Sequence, residues 1–348
     1  MPRARLIVMS FALAATALVV SGCGASEPVP VAATAGAGEG ATSYPLTIQD
    51  CGREVTFDAA PQRTVSLDQD STEILLSLGL ADRMVGTASW TDPVLDGLAE
   101  ANSRVPRLAD NAPTYEVVLG TDPDLVTASF GRHFAQGGVA TRDRFAETGV
   151  ASYLSPTDCD GSTSFNAGGT RTTALTVDVL YGEIRQLAQI FDVPSRGEAL
   201  VQSLQQRAAA ATEGMDLGGR SIMFWFADTK TPYVAGGFSN AAMLSNLVNA
   251  RNVFADQHDD WPAVGWESVV AANPDIMVLG DLQRNRFPGD RLGDKESFLA
   301  SDPLTSTMPA VKDKRFIALH GAELNPSIRF PDALDKIRAW WDENKGSL

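Results

Sequence analysis

The sequence predicts an α/β protein of two lobes, each a mainly parallel sheet flanked by helices, with a long helical connection between them. Three observations predict it. Glu116 to Val126 and Glu267 to Val278 repeat one pattern: a glutamate, then at equal spacing Pro123-Asp124 or Pro274-Asp275, then an apolar run. A repeat at this distance is too long for a solenoid period and implies two similar lobes, each presenting one carboxylate at a matching place. Strand and helix patterns alternate in the first lobe, the order that builds a parallel sheet with helices packed on it. Between the halves, Leu175, Val179, Leu180, Ile184, Leu187 and Phe191 recur on one helical face.

Taken in order, residues 1–23 read as a signal peptide. Arg3 and Arg5 precede an apolar stretch from Leu6 to Val20, and Val20-Ser21-Gly22-Cys23 has the form of a bacterial lipobox with Cys23 as the lipid-bearing residue. The apolar run is shorter than the ~20 residues of a membrane span. Residues 24–43, rich in Ala, Gly, Pro and Ser, have nothing to bury and read as a flexible tether. The N-terminal lobe, 44–170, opens with a hairpin around Asp50-Cys51-Gly52, followed by strands at Thr64–Leu67, Arg83–Thr87, Asp124–Ala128 and Val150–Leu154. A helix runs from Thr72 to Leu78, closed by Gly79. The helical segment 171–213 is interrupted at Val193-Pro194, with Ser195 to Glu198 predicting a capping box for its second helix. The C-terminal lobe, 214–348, offers strands at Ser221–Phe226, Asp275–Leu279 and Arg315–Leu319, a helix near Asn240 to Val248 and a closing helix from Ile328 to Trp341.

Composition narrows the partners. The formal net charge is -15, from 43 acidic against 28 basic residues. That excludes nucleic acid, whose binding needs clustered Lys and Arg. With Cys23 taken by lipid, Cys51 and Cys159 predict one disulfide in an exported body, the alternative being two buried thiols. No nucleophile elbow, zinc-protease motif or phosphate loop is present, so the chain reads as a binding protein and not an enzyme. His133, His258 and His320 lie in separate segments. They read as loop histidines, with direct capture of a divalent ion as the alternative.

Residues 65–80, both Glu…Pro-Asp repeats, Thr231 to Gly237, Arg251 to Asp256 and Ser327 to Leu334 together carry a resemblance. In their order and spacing the chain resembles the substrate-binding lipoproteins of ABC importers for ferric siderophores and cobalamin. The resemblance implies a ligand cleft between the lobes and little closure, because one long helix joins them. It implies that Glu116 and Glu267 dock onto a permease dimer driven by ATPase subunits. It implies a body held at the extracytoplasmic face of the membrane by its lipid alone, with no cofactor or protein-bound metal, since iron arrives inside the siderophore.

In open α/β sheets ligands sit at the carboxyl ends of strands. Those ends offer Asp68, Gln69, Trp90, Phe130 and Arg132 in the first lobe. The second lobe offers Trp225, Tyr233, Arg284 and His320, with Arg329 matching a cleft position of the family. Acids outnumber arginines among these ends, so a neutral or weakly charged ferric hydroxamate or mixed-type complex is expected. Cobalamin or another tetrapyrrole is the alternative.

Overall fold

A computed structural model describes residue 1 and residues 38–159, 171–284 and 286–346. The expected signal peptide beyond Met1, Cys23 and most of the 24–43 stretch therefore lie outside the described residues. Among the described residues, no helix is long and apolar enough to cross a membrane.

β1 (Leu46–Asp50) and β2 (Arg53–Phe57) form an antiparallel hairpin. Its two-residue turn puts Cys51 at φ 50° and Gly52 at φ 76°, the left-handed pair that a tight hairpin turn needs. Cys51 is joined to Cys159 by a disulfide, which ties the hairpin to the far edge of the lobe. Next come β3 (Thr64–Ser66), α1 (Gln69–Ser77), β4 (Met84–Ala88), α2 (Ala99–Asn102) and β5 (Arg107–Ala109). α3 (Tyr115–Leu119), β6 (Leu125–Ala128), α4 (Arg142–Ala146) and β7 (Ala151–Leu154) complete the lobe. The sheet order is β5-β4-β3-β6-β7, all parallel.

The connection is a helical hairpin and not one continuous rod. α5 (Val177–Ile190) buries Leu180, Ile184 and Leu187. It folds back on α6 (Pro194–Thr212), whose 19 residues span about 28 Å. The expected capping box does not form. Pro194 is the first residue of α6, and Glu39 accepts the N–H groups of Ser195 and Arg196 in its first turn, at 2.8 and 3.3 Å. Asp192 accepts the N–H groups of Gly40, Ala41 and Thr42, at 2.7, 2.9 and 2.8 Å. The end of the expected tether is thus pinned to the hairpin from residue 39 onward.

The second lobe contains β8 (Ser221–Ala227), β9 (Tyr233–Val234), α7 (Asn240–Leu247), β10 (Arg251–Asn252), α8 (Trp266–Ala272) and β11 (Ile276–Asp281). It ends with α9 (Leu292–Ser301), α10 (Pro309–Lys312), β12 (Phe316–His320), α11 (Gly321–Leu324) and α12 (Phe330–Asn344). β10-β8-β11-β12 run parallel, with β9 antiparallel on β8, and α12 packs on α6.

The sequence repeat has a structural meaning. Asp124 accepts the N–H groups of Gln62 and Arg63, just before β3, at 2.7 and 3.0 Å. Asp275 accepts the Ser221 N–H, at the start of β8, at 2.9 Å. In both lobes the Pro-Asp step locks an incoming strand to its central neighbour.

Candidate functional site

Chain order reverses between β3 and β6 in the first sheet and between β8 and β11 in the second. Such switch points open a crevice at the strand ends. Here the two crevices face each other across a cavity of about 580 Å³, within the ~300–1,000 Å³ of small-molecule sites. Six aromatic side chains line it: Trp90, Phe130, Phe226, Tyr233, Trp261 and Phe287. Three arginines, Arg132, Arg284 and Arg286, and three acids, Asp110, Asp158 and Asp260, also line it. Ser89 at φ 61° and Asp228 at φ 68° give the sharp exits from β4 and β8.

Of the residues expected in the cleft, Trp90, Phe130, Arg132, Tyr233 and Arg284 do line it. Asp68 and Gln69 are buried behind it. Asp68 accepts the N–H groups of Ser129 and Phe130 at 2.8 and 3.1 Å, and meets Arg132 at 3.3 Å and His133 at 2.7 Å. Burial works against its charge, but His133, Arg132 and the Ser129 N–H outweigh it and hold the carboxyl below its ordinary value. Gln69 accepts the Thr91 and Asp92 N–H groups, both at 3.1 Å, and so shapes the turn that presents Trp90. The guanidinium of Arg107 stacks 4.5 Å from the Trp90 ring.

Besides Asp68 and Gln69, which support the cleft instead of lining it, three further expectations are corrected. Trp225 is fully buried in the second lobe, edge-on to Trp266 at 4.7 Å. β8 is covered on both faces, so its neighbour Phe226, at the strand end, reaches the cavity instead. Arg329 is buried in an ion pair with Glu73 of α1 (Nε to Oε2, 2.8 Å) and donates to Pro93 O at 2.7 Å. It bolts the lobes together below the cavity. His320 is the N-cap of α11, with Nδ1 3.3 Å from Asp281 O, and does not line the cavity. The other two histidines are likewise engaged separately, His133 by Asp68 and His258 by stacking on Phe238 at 4.4 Å.

Sequence reasoning missed Phe226, Trp261, Arg286 and Phe287. The last two share the β11–α9 loop with Arg284, which was the available signal. It also missed the contacts that cross between lobes. Asp92 accepts Ala322 N–H at 2.8 Å and Gln283 N–H at 3.3 Å. Arg171 joins Asp260, at 2.5 Å, to Asp158, at 3.9 Å. Burial pushes Asp158 up to about 7, with the Gly131 N–H and Arg171 working against it. Glu116 and Glu267 are exposed, each in the first turn of a helix, α3 in one lobe and α8 in the other.

The periplasmic binding protein family profile matches residues 64–323. An uncharacterized ABC transporter substrate-binding lipoprotein of Bacillus subtilis is 24% identical over 246 residues, covering 68% of this chain and 70% of that protein. A vitamin B12-binding protein of Yersinia pestis is 22% identical over 228 residues, covering 64% and 71%. Among solved structures, a periplasmic binding protein from Veillonella parvula has a TM-score of 0.72 at 24% identity, covering 85% of this chain and 96% of that one. An ABC-type Fe3+-hydroxamate transport system protein from Saccharomonospora viridis has a TM-score of 0.68 at 25% identity, covering 86% and 99%. The fold, the inter-lobe cavity and the extent of the match agree: the chain belongs to the periplasmic binding protein family, the extracytoplasmic substrate-binding proteins of ABC importers.

Proposed function

We propose that this protein captures a ferric siderophore between its lobes and delivers it to an ABC permease. The observation that carries this reading is the cleft itself: six aromatic rings and three arginines converge from both lobes on one cavity. Rings cover the apolar skirt of a wrapped metal, while arginine forks meet its oxygen atoms. Equal numbers of arginines and acids in the lining favour a neutral or weakly anionic complex, a ferric hydroxamate or mixed type. Iron stays inside its chelate, no cofactor is needed and no covalent chemistry occurs. The Saccharomonospora viridis relative, whose description names Fe3+-hydroxamate transport, supports this choice.

Trp90 and Trp261 line the cavity and report binding. Ferric hydroxamates are expected to quench tryptophan fluorescence, and quenching by cobalamin alone would overturn the ligand choice. The same aromatic lining favours a second reading, a tetrapyrrole, in line with relatives described as binding vitamin B12 and heme. The panel therefore includes both. Glu116 and Glu267 supply one docking contact per lobe, and Cys23 carries the lipid. Cys23→Ala should move the protein out of the membrane fraction. The cross-lobe bonds of Asp92, Arg171 and Arg329 limit closure, so scattering profiles should change little when ligand is added.

A further inference from the structure

The loop between β11 and α9 brings Arg284, Arg286 and Phe287 to the cavity. Long side chains on a surface loop lose much conformational freedom when a ligand orders them, and that loss weakens binding. Like charges add a second problem. Burial pushes the Arg284 pKa down, Asp290 works against that, and Arg286 together with Arg132 of the opposite lobe adds to it. Left to itself, the loop would spread its cations into solvent.

Two buried groups behind the loop oppose this. Asp290, 1% exposed, accepts the N–H groups of Arg286 at 2.7 Å and Phe287 at 3.0 Å, and lies 3.5 Å from Arg284 Nε. Lys295, on α9 and 0% exposed, donates to Gly280 O at 2.7 Å, to Asp290 O at 3.2 Å and to Gly289 O. Leu282 N–H closes the base of the loop on Asp290 O at 2.9 Å. A buried ammonium and a buried carboxylate are costly unless their partners are well placed. Here almost every partner is a backbone group of this one loop or of the strand end that feeds it. Neither Asp290 nor Lys295 lines the cavity.

We propose that Asp290 and Lys295 are positioning residues that hold the arginine loop in its binding shape and thereby set how strongly the cleft prefers an anionic over a neutral ferric complex. The proposal rests on the siderophore reading for its ligands, but not for the order of the loop.

The test uses the full chain with Lys295→Met, which keeps the apolar stem, and Asp290→Ala beside Asp290→Asn, which keeps an acceptor for the two N–H groups. Two probes are compared: a neutral ferric trihydroxamate and the same skeleton bearing one free carboxylate. Lys295→Met and Asp290→Ala should lose about tenfold or more in affinity for the carboxylate-bearing complex, with the neutral one nearly unchanged. Asp290→Asn should lose less. Amide hydrogen exchange at Arg286 and Phe287 should be slow in the unmodified protein and fast in both disruptive variants, with β11 still protected. Equal losses for both probes, or none, would overturn the proposal. So would unprotected amides at 286 and 287 in the unmodified protein. If the unmodified protein binds neither probe yet its loop amides are protected and then released by Lys295→Met, the positioning role stands and the siderophore reading falls.

Discussion

Behind the first-lobe wall of the cleft lies α1, a helix buried along its whole length despite carrying Gln69, Asp70 and Glu73. Behind the second-lobe wall lies Trp225, packed against Trp266 and Phe298. The two lobes share a sheet architecture, yet the first backs its sheet with a helix carrying buried charge, while β8 in the second is backed by aromatic volume, with buried charge at Asp290 and Lys295 around the β11–α9 loop. α1 touches the facing lobe through Glu73 and Arg329, and Ser71 meets Thr127 of β6 at 2.7 Å. The difference teaches that the α1 side of the cleft should respond to protonation and the Trp225 core to volume.

The largest test removes one partner from the buried pair. Arg329→Met leaves Glu73, 0% exposed, facing Met, and should cost ~3–5 kcal/mol by urea unfolding. Replacing both with apolar residues should recover much of it. Trp225→Ala should cost a similar ~3–5 kcal/mol through its cavity, with no change in pH dependence. If Trp225→Ala changed the pH profile and Arg329→Met did not, the contrast between lobes would be wrong.

Next comes pH. Burial raises Glu183 to about 8, against the Ser155 hydroxyl that lowers it. The folded state therefore holds this proton more tightly than the unfolded chain. Its contribution to stability is fully present below the ordinary value of 4.5 and is lost as pH rises through about 8. Within that window the slope is about 1.4 kcal/mol per pH unit, and Glu183→Gln should flatten it. A wild-type slope in Glu183→Gln would show that the buried acid titrates no differently in the two states.

A smaller effect is expected from Asp92→Ala. It frees two N–H groups of the second lobe and should cost about 0.5–2 kcal/mol, the range of a lost cap. A loss of ligand-free compactness in scattering would come with it. Smallest in stability are Glu116→Ala and Glu267→Ala, within about 0.5 kcal/mol. Both variants should bind ligand normally and lose import in cells or vesicles, and retained import would break the docking proposal.

The legible part of the molecule was its periodic part. Central strands such as β6 and β11, the α5 face and α12 carried enough apolar repetition to be read, and the Pro-Asp steps marked equivalent points in both lobes. Among the shortest strands, β3 was read from its run into Leu67, but β5, β9 and β10 carried too few positions to show a period. Trp225 was misplaced because β8 is buried on both faces, so alternation cannot say which residue sits at the strand end. Arg329 was assigned to the cleft by the family resemblance, and its actual partner, Glu73, is far away in sequence and meets it only when α1 packs beside it. The same holds for Asp92: a loop aspartate reads as solvated until another lobe brings N–H groups to it.

Asp192 grips residues 40–42 and Glu39 grips the start of α6, which bears on how the N-terminal segment meets the body. Force arriving through the N-terminal segment enters at the turn between α5 and α6, before it can reach β1. That turn sits at the end of the first lobe where Arg83, leading into β4, meets Phe191 O, on the side away from the strand ends that form the cleft. Under the proposed lipid anchor, a pull on the N-terminal segment therefore reaches the helical hairpin before the strand ends that form the cavity.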